Sequence, residues 1–127
     1  MRQLLLDTHT ALWALSVPDR LDPLVRDALE DPRNVVAVSA ASVWEVEIKR
    51  ALGKLTAPVG FGAICIERGF DALTISFEHA ETAAGLPLHH SDPFDRMLIA
   101  QAIAEDLELV SDDRSFAVYD VQLVRAT

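Results

Sequence analysis

At 127 residues the chain is long enough for one domain and too short for two ordinary ones. Half of it is apolar, enough for one sizeable core, which excludes a wholly disordered or low-complexity chain. Eleven Lys and Arg against twenty Asp and Glu give a formal charge of −9, which excludes nucleic-acid binding through a broad basic surface but not through a small site with its own cations. The single cysteine, Cys65, cannot form an intrachain disulfide, and a reducing cytoplasm is the expected location. Asp7 stops the run Leu4-Leu5-Leu6 well short of a signal-peptide core, and no uncharged stretch approaches the roughly 18 residues of a membrane span, so no membrane association is expected.

Strand and helix patterns alternate along the chain. Leu4-Leu5-Leu6 suits a short strand buried on both faces and is followed by a helical pattern over about 8–16. Asp22-Pro23 reads as an N-cap with proline at the first helical position, opening a helix over 22–30. The breaker Asp31-Pro32-Arg33-Asn34 precedes a second strand, Val35 to Val38, and a helix over 40–54. A helix over 60–69, a strand at Leu73-Thr74-Ile75 and a helix over 78–85 come next. Asp92-Pro93 opens the last helix, 93–105, and strands at Leu107 to Val110 and Val121 to Val124 close the pattern. This alternation predicts a mostly parallel sheet with helices on both faces. In such a sheet ligands bind outside the carboxyl ends of the strands, so the residues just after each strand matter most.

Acids stand at two of those ends: Asp7 after the first strand and Ser111-Asp112-Asp113 after the fourth. Each could simply cap the next helix. Two helical acids argue for a site instead. At about 100° per residue, Glu45 borders an apolar arc of Trp44, Ile48, Ala51, Leu52 and Leu55, where an ion pair with Lys49 does not account for its position. Asp95 lies on a helix that is apolar nearly all round, sharing a face with Leu98, Ile99 and Ala102. A lone carboxylate there must be protonated, paired, used as a cap or bound to a metal ion. His89 and His90 read as loop or rim residues, His9 and His79 as structural, and Trp13 and Trp44 as packing. Lys49, Arg50 and Lys54 form a small basic patch beside Glu45.

Four segments together resemble the PIN-domain ribonucleases, and within them the VapC toxins of bacterial toxin–antitoxin pairs. They are Leu4-Leu5-Leu6-Asp7-Thr8-His9, Ser39-Ala40-Ala41-Ser42-Val43-Trp44-Glu45-Val46, His89 to Ala102 with its Asp-Pro-Phe-Asp-Arg run, and Leu109-Val110-Ser111-Asp112-Asp113-Arg114 with Tyr119 beyond. The resemblance implies one PIN-like domain over 1–127 with a three-layer α/β/α sandwich around a mostly parallel sheet. It matches Asp7, Glu45, Asp95 and Asp113 to the family's acidic quartet and Ser111 to its Thr/Ser before the last acid. Asp113 is chosen over Asp112 because the family's acid comes two residues after that Thr/Ser.

Hard oxygen donors of this kind favour Mg²⁺ or Mn²⁺. The implied reaction is direct attack of an activated water on an RNA phosphodiester, with no covalent enzyme intermediate. Asp7 and Asp95 are expected as direct ligands and Glu45 and Asp113 as holders of bound waters or a second ion. Thr8 and Ser111 would orient ligands, and Arg96, Arg114 and Lys49 are candidates for holding substrate phosphate. The implied partners are RNA and a small cognate antitoxin that enters the acidic groove, and the implied assembly is a homodimer. Two alternatives stand beside this reading. One is a PIN-like scaffold that only binds RNA or protein. The other is a phosphoacceptor receiver domain, which needs a lysine late in the sheet, and the chain has none after Lys54.

Overall fold

A computed structural model describes all residues, 1–127. Five strands form one parallel sheet: β1 (Gln3–Leu6), β2 (Val35–Ser39), β3 (Asp71–Leu73), β4 (Glu108–Val110) and β5 (Leu123–Val124). Their order across the sheet is β3-β2-β1-β4-β5. The chain winds outward from β1 to β3, then returns to the other side of β1 for β4 and β5. The strand order therefore reverses between β1 and β4, which makes their carboxyl ends the expected ligand crevice. A receiver domain has the order 2-1-3-4-5, so the topology removes that alternative.

Six α-helices cover the sheet: α1 (Thr8–Ser16), α2 (Pro23–Glu30), α3 (Ala40–Ala51), α4 (Phe61–Glu67), α5 (Phe77–Gly85) and α6 (Pro93–Ala104). Alternation along β1 explains the two cores. Leu4 and Leu6 face one side with Val36, Val38 and Val110, against α1, α2, α4 and Val46 of α3. Leu5 faces the other side with Ala37 and Leu109, against Leu98, Ile99 and Ala102 of α6 and Phe116 and Tyr119. The helix α5 packs outside on α6. The result is a three-layer α/β/α sandwich, as the alternation predicts, and no helix is long and apolar enough to cross a membrane.

Three expectations shift. The third strand lies at Asp71–Leu73, not Leu73 to Ile75, because its register is fixed by Ala37 against Asp71 and Ser39 against Leu73. As an edge strand it exposes Asp71 and Ala72, so apolarity does not mark it, and Ser76 already caps α5. The helix α3 stops at Ala51, with Gly53 in the left-handed region at φ 71°. Its buried face is Ala41, Ser42, Glu45 and Val46; Trp44 and Leu52 of the expected apolar arc are each 62% exposed. Glu45 thus sits on the buried side of its helix rather than at the margin of an apolar stripe.

Arg96 also departs from expectation. Its side chain is buried and does not line the acidic cleft described below. Nη1 donates to Pro87 O and His90 O at 2.9 and 3.1 Å, and Nη2 to Ala83 O and Leu86 O at 2.8 Å each. With both terminal nitrogens engaged by main-chain carbonyls, Arg96 ties the 83–90 segment to α6 instead of offering them to a phosphate. Replacing Arg96 by Met should strand these buried carbonyls and cost about 3 kcal/mol in a urea unfolding experiment. A loss below about 0.5 kcal/mol, the size of an ordinary surface change, would show that water replaces the guanidinium without penalty.

Candidate active site

The sheet reversal delivers its side chains to one open cleft of about 500 Å³, lined by Asp7, Glu45, Asp92, Asp95, Asp112 and Asp113 together with Thr8, His9, Trp13, Arg20, Lys49 and Phe116. All four acids of the matched quartet, with Thr8 and Lys49, are therefore brought together. Arg96 is not, and Arg114 is exposed on the 3-10 turn Arg114–Val118 outside the cleft.

Asp7 ends β1 and caps α1, where its Oδ1 accepts from Thr10 N at 2.8 Å. Its Oδ2 accepts from Ser111 Oγ at 2.5 Å. The same Ser111 oxygen accepts from Asp113 N at 3.0 Å, so one buried hydroxyl links the acids at the ends of β1 and β4. Across the strand ends, Asp7 N and Thr10 Oγ1 both donate to Val110 O, at 3.1 and 3.2 Å. Capping and site are not alternatives here: Asp7 uses one oxygen as a cap and presents its carboxylate to the cleft.

Glu45 is buried, and each of its oxygens has a partner. Thr8 Oγ1, which lies 3.0 Å from Ser42 Oγ, donates to Oε1 at 2.7 Å, and Lys49 Nζ donates to Oε2 at 2.7 Å. That contact holds Lys49 protonated above its usual range. The i,i+4 pair is present, but it rests against a carboxylate only 8% exposed at a cleft floor.

Asp95 stands at the start of α6, where the cap is Asp92: its Oδ1 accepts from Phe94 N and Asp95 N at 2.8 and 3.1 Å. The Asp95 carboxylate accepts no backbone hydrogen bond. Burial, followed by the charge of Asp92 and, more weakly, Glu45 and Asp113, pushes its pKa up to about 7 despite His90 pulling the other way. Asp113 moves in the opposite direction. Burial would raise it, but hydrogen bonds from the Ser115 hydroxyl and N–H, joined by His90, outweigh burial and lower it. Asp112 spends its carboxylate on the N–H and hydroxyl of Thr127, at 2.9 and 2.6 Å, leaving Asp113 as the acid nearer Asp95 and His90.

His90 belongs to this group and not merely to a rim. Its Nε2 lies 3.3 Å from Asp95 Oδ2 and 3.6 Å from Asp113 Oδ2. One ligand atom from each of the three residues falls within 4.8 Å of the others, a spacing that could hold an ion. Asp92 N donates to Nδ1 at 3.3 Å, so a neutral ring carries its proton on Nε2, directed at the carboxylates. The available signal was its place two residues before the Asp92 cap, on the turn that carries Asp95. His9 is likewise exposed in the cleft rather than structural, whereas His79 is buried in the capping box of α5 with its Nε2 2.8 Å from Glu105.

The donor set fits a hard divalent cation. Several carboxylates converge, and Asp95 has a raised pKa and no salt bridge to a Lys or Arg. The electrostatics also give a pH signature for the metal-free protein. An Asp raised from its usual value to about 7 in the native state binds an extra proton there, so its contribution is most favourable at acid pH and is lost as pH rises through about 7. In EDTA, Asp95→Asn should therefore gain melting temperature relative to the wild type as pH goes from 5 to 8. A constant gap across that range in parallel thermal melts would contradict the raised pKa.

The chain matches known proteins over most of its length. The model of the PIN domain matches residues 4–122. Ribonuclease VapC22 of Mycobacterium tuberculosis is 33% identical over 118 residues, covering 90% of this chain and 89% of that protein. Among solved structures, VapBC2 from Rickettsia felis bound to a DNA fragment from its promoter aligns with a TM-score of 0.72 at 16% identity, covering 98% of this chain and 99% of that one. DNA-bound VapBC from Salmonella typhimurium aligns with a TM-score of 0.69 at 18% identity, covering 98% of each chain. These two structures speak for the fold; the family match and the VapC22 identity extend over nearly all of the sequence. The chain belongs to the PIN-domain family.

Proposed function

We propose that this protein is a metal-dependent endoribonuclease and the toxin of a toxin–antitoxin pair. The observation that carries the reading is the convergence of Asp7, Glu45, Asp95 and Asp113 on one cleft at the sheet's switch point, in a chain 33% identical to a VapC ribonuclease. Asp7 and Asp95 would hold Mg²⁺ or Mn²⁺ directly, with Glu45 and Asp113 beside them. The ion, when bound, supplies Lewis acidity: it lowers the pKa of water and offsets charge on the phosphodiester.

The chain's own residues do the positioning. Ser111 and Thr10 N fix both oxygens of Asp7, so that its carboxylate cannot rotate away from the cleft. Thr8 and Lys49 hold the two oxygens of Glu45 in the same way. The raised pKa of Asp95 makes this carboxyl the one that carries a proton near neutral pH, to be released on cation binding. His90 directs its N–H at Asp95 and Asp113 and limits their repulsion. Nucleophile activation thus falls to the acids, and no side chain is placed as a covalent nucleophile.

The antitoxin and homodimer belong to the same reading. The Rickettsia felis and Salmonella typhimurium relatives are VapBC assemblies on DNA, which supports a small partner protein for this chain as well. A basic residue of that partner would be drawn to the acidic cleft.

Purified protein should cleave single-stranded RNA in Mg²⁺ or Mn²⁺ and lose the activity in excess EDTA. Asp7→Asn and Asp95→Asn should each lower cleavage at least about a hundredfold, the scale of a lost catalytic or electrostatic group. Mg²⁺ should raise the melting temperature of the wild type more than that of Asp95→Asn, because binding to the native state alone stabilises it. Expression without a partner should slow bacterial growth, and Asp7→Asn should relieve this at equal protein level. Full cleavage under chelation would overturn the metal mechanism; a harmless wild type that cleaves no cellular RNA would overturn the toxin reading.

A further inference from the structure

The acidic cleft presents a physical problem for any RNA substrate. Six carboxylates line it, and one of its two permanent cations, Lys49, is already hydrogen-bonded to Glu45. The other is Arg20, which is exposed, has no carboxylate partner within salt-bridge distance, and lies with its guanidinium carbon 4.3 Å from the centroid of the Trp13 ring. Trp13 is half-buried, packed at one edge against the main core and open at the other to the cleft. His9 sits one helical turn before it on α1, with ring centroids 6.1 Å apart, also in the cleft. An aromatic ring, a free guanidinium plane and an imidazole therefore share one wall, next to Asp7.

A phosphate chain is repelled by most of this surface, so affinity must come from contacts that carry no negative partner. Unpaired bases stack on aromatic rings and on guanidinium planes, and a free Arg can also take one phosphate. Bases inside a duplex cannot reach such a wall. Resting on the ribonuclease reading above, we infer that Trp13 and Arg20 form a substrate platform: an unpaired base next to the scissile phosphodiester stacks on the Trp13–Arg20 pair, and Arg20 holds the adjoining phosphate. Trp13 is then a substrate-positioning residue as well as a packing one. With so few free cations, binding has a shallow salt dependence, a slope of log K on log salt of about −0.7 to −1.4 for one or two phosphates on a single strand.

The chain has two tryptophans, and Trp44 lies exposed on α3, outside the cleft. Trp44→Phe therefore leaves Trp13 as the sole indole reporter. In a Trp44→Phe, Asp95→Asn protein, which should bind without efficient cleavage, a single-stranded RNA decanucleotide should quench indole emission saturably, and the same sequence as a duplex should not. In Mg²⁺, Trp13→Leu keeps an apolar side chain but has no π-face, and should raise KM for the single-stranded oligonucleotide by about ten- to a hundredfold, with kcat less affected. Trp13→Phe should restore most of the loss, and Arg20→Ala, at an exposed position, should raise KM while leaving the melting temperature unchanged. The Mg²⁺-induced rise in melting temperature should be the same in all three variants. Unchanged Trp13 emission at saturating RNA, or a Trp13→Leu enzyme with wild-type KM, would overturn the platform and leave the ribonuclease reading standing. A wild type that cleaves no RNA would overturn that reading and the platform with it.

Discussion

The structure depends on holding mutually repelling carboxylates together at one sheet edge. Two unit charges about 4 Å apart repel by roughly 4 kcal/mol at an effective dielectric near 20. The protein relieves this in different ways at each acid. Asp7 receives two hydrogen bonds, Glu45 receives a hydroxyl and an ammonium, and Asp113 receives Ser115 and lies near His90. Asp95 receives none of these except the neighbourhood of His90, and burial first, with the charge of Asp92 second, raises its pKa. The site is thus graded, with hydrogen-bonded acids held around one whose pKa is raised.

That arrangement is possible because the sheet is parallel and reverses direction between its central strands. β1 and β4 are neighbours, so the residues just beyond them meet without any long loop. Both strands are buried on both faces, which anchors their ends rigidly: Leu4, Leu5, Leu6, Leu109 and Val110 are each at most 1% exposed. Ser111 then needs only its hydroxyl to couple the two acids. Rigidity in the core and repulsion at the edge are parts of one design, since a looser core would let the carboxylates drift apart into water.

Much of this was legible in the sequence because it rests on local signals. The triple leucine, the Asp-Pro caps and the acid directly after a strand each act through their immediate neighbours, and the sheet, its layers and the meeting of the acids are their consequence. The features that were not legible depend on tertiary packing. Periodicity treated Trp44 and Leu52 as core because they are apolar, but α3 turns its Ala41–Val46 face inward and leaves both of them exposed. The edge strand β3 has too few buried residues to announce itself. His90 and Trp13 could be read only as generic loop and packing residues, because their meaning comes from partners far away in sequence: Asp113 for one, the acidic cleft for the other.

Arg96 shows most clearly how such partners change a residue's meaning. Beside Asp95 in sequence, it suggests a phosphate contact. In the fold its guanidinium binds the carbonyl of His90 and three others. The imidazole of that same His90 accepts from Asp92 N and faces Asp95 and Asp113. Asp92 in turn caps the helix that carries Asp95. A short closed circuit therefore runs from Arg96 through the loop backbone to His90, through the cap to Asp95, and across one peptide bond of α6 back to Arg96. Four polar residues fix one another's positions, each contact costing little because every buried donor has an acceptor. An Arg that never touches the cleft thereby sets the distance between the histidine and the acids within it. This is why the Asp-Pro-Phe-Asp-Arg run works as a unit: its proline and first aspartate start the helix, its second aspartate supplies the site, and its arginine holds the loop that completes it.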